Sequence, residues 1–204
     1  MYKFFLKRAV DFILSLSGIF VLALPMIVIA IAVKLDSPGP VLFRQKRVGI
    51  HKTYFNILKF RTMRTDTPHD APTHLLQGAT SYITKVGVFL RKTSLDELPQ
   101  LFNILAGQMS VVGPRPALWN QYDLIEERDK YGANDIKPGL TGWAQIHGRD
   151  ELGIDVKAKL DGDYVKMMSF FLDAKCFFCT IGVVAKADGI VEGGTNELKK
   201  RVKK

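Results

Sequence analysis

The chain has 204 residues, a hydrophobic fraction of 47% and a formal net charge of +9. This length and composition suffice for one domain with a buried core and exclude a disordered chain. The positive charge favours an anionic partner, which nucleic acid, a phospholipid surface or a phosphorylated small substrate would each supply. With two cysteines the chain has no framework of disulfides, which favours a reducing compartment.

The N-terminal part of the chain contains an uncharged apolar run, residues 12–33. About 20 such residues can cross a bilayer, and the run is longer than the roughly 7–15 residues of a secretory signal core. Lys7 and Arg8 precede the run and Lys34 follows it, so both flanks are typical of cytoplasmic segments. Pro25 favours a bend near the middle. A single-pass helix and a re-entrant hairpin broken near Pro25 are the alternatives, and the flanking charges favour the hairpin.

The rest of the chain is predicted to fold as a mixed α and β domain with more helix than strand. Residues 53–63 alternate apolar and polar side chains, which predicts a strand in a hairpin with the short apolar run at 41–43. Residues 65–80 are rich in Pro, His, Thr and Asp and are predicted to form a loop. The predicted organisation is a membrane-embedded segment, 1–36, followed by a cytosolic domain, 37–204.

Two adjacent carboxylates, Asp96 and Glu97, lie where a helix is predicted to begin. Ser94 and Glu97 have the spacing of a capping box, but a helix that started at Ser94 would contain Pro99. The proline would cost about 3 kcal/mol and the cap would contribute about 1 kcal/mol. The helix is therefore predicted to begin later, with Asp96 at or near its N-cap. A helix cap is the commoner role of such residues, but an ionised aspartate can also attack phosphorus, helped by a divalent cation.

Two later segments contain residues of the kind that phosphate sites use. Arg115 lies between Pro114 and Pro116, which fix the backbone on both sides, although a solvated arginine in a proline turn is the alternative. Residues 136–151 combine glycines, which allow close approach of a ligand, with Trp143, for which a buried structural role is commoner.

The C-terminal part contains a predicted helix, residues 169–187, with the character of an amphipathic helix that lies on a membrane. Its Cys176 and Cys179 are spaced as Cys-x-x-Cys, but a zinc site needs about four ligands and no second cysteine pair exists. Packed or interfacial cysteines are therefore favoured. The basic tail, 197–204, is typical of a solvated segment, and the sequence contains no nucleic-acid-binding motif.

Several motifs, in one order, resemble those of the bacterial sugar transferase family, the monotopic polyprenyl-phosphate phosphoglycosyl transferases, in its minimal catalytic form. The motifs are KFRTM (59–63), SLDELPQLFNIL (94–105), MSVVGPRP (109–116) and KPGLTGWAQIHGR (137–149). The resemblance extends over nearly the whole chain, from about residue 7 to about residue 187.

This resemblance implies a reaction and a set of site residues. Members of the family transfer a sugar 1-phosphate from a UDP-sugar to undecaprenyl phosphate at the inner face of the bacterial cytoplasmic membrane, and release UMP. The reaction is ping-pong and makes the first lipid-linked intermediate of a surface glycan. By motif match, Asp96 is the expected nucleophile and Glu97 its partner, and both are expected to contact Mg²⁺. Lys59, Arg115 and Arg149 match positions expected to bind the substrate phosphates.

The resemblance also implies a mostly helical α+β fold, with an N-terminal re-entrant helix-break-helix, a small cytosolic catalytic domain and interfacial amphipathic helices that contact phospholipid. Two positions depart from the family pattern. Leu24 stands where many relatives place a serine before the proline, which weakens the expectation of a hairpin. His147 replaces the usual asparagine, which weakens the expectation of a polar contact from that position.

Two other functions fit parts of the sequence. One is a basic, membrane-anchored binding module without catalytic activity, and the other is a single-pass glycosyltransferase that releases UDP. The nucleotide released from a UDP-sugar distinguishes the three. No segment of the sequence identifies the sugar, and nothing in it sets the oligomeric state.

Overall fold

The computed structural model describes residues 2–67, 79–148 and 152–186 of the chain. Within these ranges helix predominates over strand, which agrees with the predicted mostly helical α+β fold. The α-helices are α1 (Lys7–Asp36), α2 (Lys85–Thr93), α3 (Gln100–Leu105), α4 (Tyr122–Asp129), α5 (Trp143–Ile146), α6 (Ile154–Met167) and α7 (Phe170–Lys186).

The strands of the described residues form two small sheets. In the first, β1 (Leu42–Val48) pairs antiparallel with β2 (Tyr54–Phe60), which confirms the predicted hairpin. In the second, β3 (Ser110–Val112) pairs in parallel with β4 (Gly139–Thr141). This second sheet was not predicted from the sequence, because strands of three residues are too short to display an alternating pattern.

Helix α1 is the long apolar helix expected from the sequence. Its 30 residues have the length and apolar character needed to cross a membrane, and no other helix of the described residues does. The backbone is helical through Pro25, and the re-entrant hairpin broken near that proline stays a prediction. A proline removes a single hydrogen bond, and the turns on either side remain helical. This continuity does not fix the topology of α1 in a membrane.

Both ends of α1 contact the rest of the protein. Near the N-terminus, the Asp11 carboxylate accepts hydrogen bonds from the Ser110 hydroxyl at 3.0 Å and the Val111 amide at 2.9 Å. At the other end, the Arg61 side chain is buried. Its guanidinium supplies hydrogen-bond donors to carbonyl groups near the helix end, where the last carbonyls have no donor within the helix. It donates hydrogen bonds to the carbonyl oxygens of Val33, Ser37 and Pro38.

The core lies between α1 and the elements that follow it. One buried cluster joins β2, α3, β3, α6 and α7, and Ile104 of α3 is fully buried within it. A second cluster joins α1 to β2 and α2 through Phe60 and Leu90. Leu95 and Leu98 pack against this second cluster. The acidic pair, which these two leucines flank, is therefore anchored to the core next to α1.

Helix α7 corresponds to the predicted C-terminal helix and has one exposed apolar face. Phe171, Phe178 and Ile181 are exposed, whereas Cys176 is buried in the first core cluster. Cys179 is exposed, and both cysteines are free thiols.

Some predictions fall wholly or partly outside the described residues. They are the phosphate-binding role of Arg149, the basic tail at 197–204, and most of the loop at 65–80, of which 68–78 are not described. The division of the chain into segments 1–36 and 37–204 also stays a prediction.

Candidate active site

The acidic pair lies on a short 3₁₀ turn, Leu95–Glu97, between α2 and α3. Helix α2 ends at Thr93, and its C-cap residue Ser94 turns the chain through a left-handed backbone conformation (φ 56°). Helix α3 begins only at Gln100, with Pro99 as its N-cap, so the predicted N-cap position of Asp96 is wrong. No helix runs from Ser94 through Pro99, as the cost of an internal proline predicted, but the residues before Pro99 form a separate turn. No capping box forms, because the Ser94 side chain makes no capping hydrogen bond.

Two cations hold the carboxylate of Glu97. Its Oε1 accepts hydrogen bonds from Lys59 Nζ at 2.7 Å and from Arg115 Nη2 at 2.9 Å. The Glu97 side chain is 11% exposed, so these charged hydrogen bonds are little weakened by water. The orientation of Glu97 is therefore fixed by two distant segments of the chain.

Asp96 lies beside the same lysine at a longer distance. Asp96 Oδ2 is 3.9 Å from Lys59 Nζ, which is too long for a hydrogen bond. Lys59 thus binds Glu97 and leaves Asp96 near a positive charge without donating to it. A carboxylate in this position can attack an electrophilic phosphorus atom that approaches the turn.

Strand β2 positions Lys59, and Asn103 of α3 fixes that strand. The Asn103 side chain accepts a hydrogen bond from the Leu58 amide at 2.9 Å and donates one to the Asn56 carbonyl oxygen at 2.9 Å. It therefore pairs with β2 much as a neighbouring strand would. Because Leu58 immediately precedes Lys59, this contact sets the lysine in register with Glu97.

The backbone around Arg115 is held on both sides. The Gly139 amide donates to the Pro114 carbonyl oxygen at 2.8 Å, and the Arg47 guanidinium donates to the Pro116 carbonyl oxygen at 3.0 Å. Because both neighbours of Arg115 are prolines with fixed φ, the segment has little freedom. This agrees with the stiff support that the sequence predicted for the guanidinium.

Burial and charge act differently on the two carboxyl groups. Burial raises the pKa of Asp96 above its ordinary value and the Glu97 carboxylate adds to the effect, against the opposing charges of Lys59, Arg91 and Arg115. Burial also acts to raise the pKa of Glu97, but Arg115 and Lys59 outweigh it through charge and hydrogen bonds, so that pKa is held below its ordinary value. Glu97 is therefore the more acidic carboxylate of the pair and Asp96 the more basic one.

The structure brings most of the predicted site residues together. Those in contact or close to one another are Asp96, Glu97, Lys59 and Arg115. Arg149 lies outside the described residues. Arg91, in the last turn of α2, was not predicted, although its charge acts on Asp96. Basic residues are common at helix C-termini, so its position alone did not distinguish it from an ordinary cap.

The glycine-rich segment places His147 against Trp143. The His147 Nδ1 atom lies 2.7 Å from the Trp143 carbonyl oxygen, and the two ring centroids are 4.2 Å apart. Lys175 of α7 lies over the same indole ring, with Nζ 5.2 Å from the centroid. Trp143 also packs against the first core cluster, so its structural role agrees with the commoner expectation.

The acidic pair supplies only part of the ligand set that a magnesium ion needs. Among the described residues, no group of three or more His, Cys, Asp or Glu side chains could hold a metal ion. Asp96 and Glu97 supply two carboxylates, and Mg²⁺ is commonly bound by one or two carboxylates together with substrate phosphates. The donor set is therefore sufficient only when phosphate groups complete it.

The apolar helix α1 and the charged site define a class of protein, one that combines a helix long enough to cross a membrane with a buried acidic pair among basic side chains. The particular family follows from the whole chain. The chain belongs to the bacterial sugar transferase family, because the model of that family matches residues 2–187. This confirms the resemblance drawn from the motifs.

Curated relatives match most of this chain. The undecaprenyl-phosphate glucose phosphotransferase of Komagataeibacter xylinus is 42% identical over 185 residues, which cover 86% of this chain and 35% of that protein. The UDP-glucose:undecaprenyl-phosphate glucose-1-phosphate transferase of Escherichia coli (strain K12) is 42% identical over 192 residues, which cover 89% of this chain and 41% of that protein. The uncharacterized sugar transferase EpsL of Bacillus subtilis (strain 168) is 40% identical over 188 residues, which cover 91% of this chain and 90% of that protein. This chain therefore spans less than half of the first two relatives and most of the third.

Proposed function

We propose that this protein is a phosphoglycosyl transferase that moves a sugar 1-phosphate from a UDP-sugar to undecaprenyl phosphate and releases UMP. The observation that carries the proposal is the buried Asp96–Glu97 pair, with Lys59 beside both carboxylates and Arg115 bound to Glu97. Membership of the family and the names of the two longer relatives support the same reaction. The reaction would be the first membrane step in the synthesis of a bacterial surface glycan.

The first chemical step is attack by Asp96 on the donor. A carboxylate oxygen of Asp96 forms a bond to the sugar-side phosphorus of the UDP-sugar. The bond from that phosphorus to the bridging oxygen breaks, and UMP leaves with the electron pair. The product is an acyl phosphate on Asp96 that carries the sugar. Lys59 and Arg115 offset the negative charge of the phosphates, and Glu97 holds both cations in place.

The second step returns the enzyme to its starting state. A phosphate oxygen of undecaprenyl phosphate forms a bond to the same phosphorus, and the bond from phosphorus to Asp96 breaks. The products are the diphosphate-linked lipid sugar and a free aspartate. The two substrates therefore react in turn with one carboxylate, which is the physical basis of a ping-pong reaction.

Mg²⁺ is the cofactor that this site would hold, through Asp96 and Glu97. When bound, it would supply positive charge to the diphosphate and to the departing UMP. Lys59 and Arg115 remain the groups that orient Glu97 and the substrate phosphates.

The proposed position of α1 in the membrane is re-entrant. The folded domain contacts α1 near both ends, through Ser110 at Asp11 and through Arg61 at Val33. A helix of 30 residues is about 45 Å long, and the hydrocarbon core of a bilayer is about 30 Å thick. A spanning helix would place these two contacts on opposite sides of the membrane. The contacts therefore support a helix that bends at Pro25 and enters and leaves by one face, and the basic flanks favour the cytoplasmic face of the inner membrane.

The exposed face of α7 is proposed to lie on the same membrane surface. Phe171 is 83% exposed and Phe178 is 67% exposed, and burial of such side chains at the level of the headgroups is favourable. The net charge of +9 favours attraction to anionic phospholipid. Helices α1 and α7 would together hold the acidic pair at the depth where a lipid phosphate is found.

The nucleotide released from the donor tests the proposal. Purified protein is incubated with Mg²⁺ and a panel of UDP-sugars headed by UDP-glucose, first without and then with undecaprenyl phosphate. We expect one equivalent of UMP per protein in the first stage, with a sugar-phosphate adduct by intact mass, and continuous release in the second. Release of UDP would show that only the sugar is transferred. No nucleotide release with any donor, even with acceptor, would favour a binding module.

Arg115→Gln is expected to move the acid limb of the pH profile of UMP release to higher pH. The step needs ionised Asp96, so its rate falls as the pH drops through the pKa of that group, which burial already raises. Arg115 is one of the charges that lower this pKa, and its removal therefore raises the pKa further. The measurement is the burst rate without acceptor as a function of pH. Arg44→Gln, at an exposed arginine of β1, should leave the acid limb in place. An equal shift in both variants would contradict the assignment of this limb to an Asp96 carboxyl group whose pKa Arg115 lowers.

A further inference from the structure

Helix α1 and the chain leading into β1 border a shallow, open apolar groove of about 340 Å³. Its lining consists of Ile27, Ala30, Ile31, Lys34, Leu35 and Val41. The helical residues follow the i, i+3, i+4, i+7, i+8 spacing of one helix face, so the groove runs along α1 for about two turns. Its volume is at the small end of the range for ligand pockets, about 300–1,000 Å³, which suits part of a single hydrocarbon chain.

Lys34 supplies the charge of this groove. Its ammonium donates to the Gly39 carbonyl oxygen at 3.1 Å, and within the described part of the chain it forms no ion pair with a carboxylate. Asp36, the acidic residue nearest in sequence, accepts instead from the Val86 amide at 2.9 Å. An unpaired ammonium at the end of an apolar groove is complementary to a molecule with a hydrocarbon chain and an anionic head.

The Lys34 end of the groove lies close to the acidic pair. The Val41 carbonyl oxygen accepts a hydrogen bond from the Arg61 amide at 2.9 Å. In the same hairpin Phe43 is the cross-strand partner of Lys59. Two residues of a strand span about 7 Å and neighbouring strands are about 5 Å apart, so Val41 lies about 9 Å from the backbone of Lys59. A head group that leaves the groove at this end therefore arrives at the lysine that binds the acidic pair.

We propose that this groove binds the isoprenoid units next to the phosphate of polyprenyl phosphate, and that Lys34 contacts that phosphate on its way to Asp96. The inference rests on the proposed function, which supplies polyprenyl phosphate as the second substrate. Because the groove lies on the apolar helix, the lipid reaches it from the bilayer without exposing its chain to water. The groove thereby sets the direction of approach, with the chain along α1 and the phosphate leading toward Lys59.

A phospholipid chain is the competing occupant, and two features favour polyprenyl phosphate. The groove has room for part of one chain, and polyprenyl phosphate has one chain whereas a phospholipid has two. The phosphate of polyprenyl phosphate is also terminal, so it can extend beyond Lys34 to the site. A phospholipid phosphate is esterified on both sides, which keeps it at the surface.

Filling the groove tests the proposal. Ile31→Trp places an indole in the groove, and Val28→Trp places the same side chain on the same helix outside the lining residues. The two positions are matched, since Ile31 is 55% exposed and Val28 is 58% exposed. In nanodiscs with polyprenyl phosphate as the varied mole fraction, Ile31→Trp should raise the KM for the lipid about tenfold, equivalent to losing the burial of about two methylene groups. Val28→Trp should leave this KM unchanged, and the UMP burst without lipid should be normal in both.

The role of Lys34 is tested by two variants that each remove one lysine charge. Lys34→Gln should raise the KM for polyprenyl phosphate, whereas Lys159→Gln, at an exposed lysine of α6, removes the same charge elsewhere and should not. An equal increase in both would show a general effect of surface charge and would overturn the contact from Lys34.

The outcomes separate this proposal from the proposed function. Equal KM values for Ile31→Trp and Val28→Trp, together with a normal UMP burst, would overturn the groove alone and would favour a phospholipid chain in it. Absence of UMP release from the wild-type protein would overturn the proposed function, and the groove proposal with it.

Discussion

Replacing Asp96 by asparagine is expected to lower the rate of UMP release by about 10⁴-fold or more, the scale of effect seen when a covalent nucleophile is removed. The substitution keeps the size and shape of the side chain but exchanges the anionic oxygen for a neutral amide, which does not attack phosphorus. The measurement is the UMP burst in the absence of lipid, together with intact mass. The sugar-phosphate adduct should form on the wild-type protein and be absent from Asp96→Asn.

Stability distinguishes this loss of activity from a failure to fold. Burial raises the pKa of Asp96, so the ionised carboxylate is less favourable in the folded state than in the unfolded state above that pKa. A neutral asparagine removes this cost. Asp96→Asn is therefore expected to melt at the same temperature as the wild type or higher, which is typical of a residue retained for chemistry rather than stability.

Asp155→Asn is the matched control, because it makes the same chemical change at an exposed position in the first turn of α6. It should leave the UMP burst unchanged. A mass adduct that persisted on Asp96→Asn would show that another group is the nucleophile. The acidic pair would then have to act by orienting the donor or by holding Mg²⁺.

The site shows where sequence reasoning succeeds and what limits it. Asp96 and Glu97 are adjacent in sequence, so any structure leaves them close together. Lys59 and Arg115 are 38 and 18 residues from Glu97, and no local periodicity indicates that they meet there. Their assignment to the site came from the family motifs. The contacts that bring them to Glu97 are seen only in the structure: Asn103 binds β2, and hydrogen bonds fix the prolines on both sides of Arg115.

Local energies excluded one helix start but did not identify the correct one. The cost of an internal Pro99 rules out a helix from Ser94, and the structure agrees. The choice between a helical first turn and a separate 3₁₀ turn depends on Leu95 and Leu98, which pack against the cluster beneath α1. Such tertiary contacts are absent from a local pattern, so the position of Asp96 in the turn could not be derived.

Buried carboxylates outside the site were missed for the same reason. Asp11 binds Ser110 and Val111, 99 and 100 residues away, and Asp173 binds Tyr2, 171 residues away. In the sequence each of these aspartates is a single charge beside an apolar stretch, which resembles the polar edge of a helix. Their function as acceptors inside the core depends on how α1, β3 and α7 meet.

Asp173→Asn is expected to destabilise the protein by about 3–5 kcal/mol, the usual effect of removing one partner from a buried ion pair. The Asp173 carboxylate accepts hydrogen bonds from Lys7 Nζ at 2.6 Å, from the Tyr164 hydroxyl at 2.6 Å and from the Tyr2 hydroxyl. The substitution leaves the ammonium of Lys7, itself buried, without a carboxylate. The apparent melting temperature in nanodiscs, followed by tryptophan fluorescence, should fall by about 10 °C or more.

The control for this change is Asp135→Asn. Asp135 also pairs with a basic side chain, His51, at 3.2 Å, but its side chain is 70% exposed. Exposed pairs contribute about 0–1 kcal/mol, so the melting temperature should change by no more than a few degrees. A similar fall in both variants would show that the aspartate-to-asparagine change itself, rather than the burial of Lys7, is responsible.

Combining Asp173→Asn with Lys7→Met separates the charge pair from the rest of the network. If the unpaired ammonium causes the loss, the double variant should recover much of it, with a coupling energy near the upper end of the range of about 0.5–3 kcal/mol for residues in contact. If the two effects simply add, the tyrosine hydroxyls rather than the ion pair join these elements. The distinction bears on the proposed function, because Lys7 begins α1 and Asp173 lies on α7, the two helices proposed to meet the membrane.

The Tyr164 hydroxyl also donates to the Val112 carbonyl oxygen of β3 at 3.1 Å, and β3 leads into the segment that carries Arg115. One buried carboxylate thus connects both helices that are proposed to face the membrane to the strand that leads to the site. Its loss should therefore loosen the position of the site relative to these helices as well as lower the melting temperature.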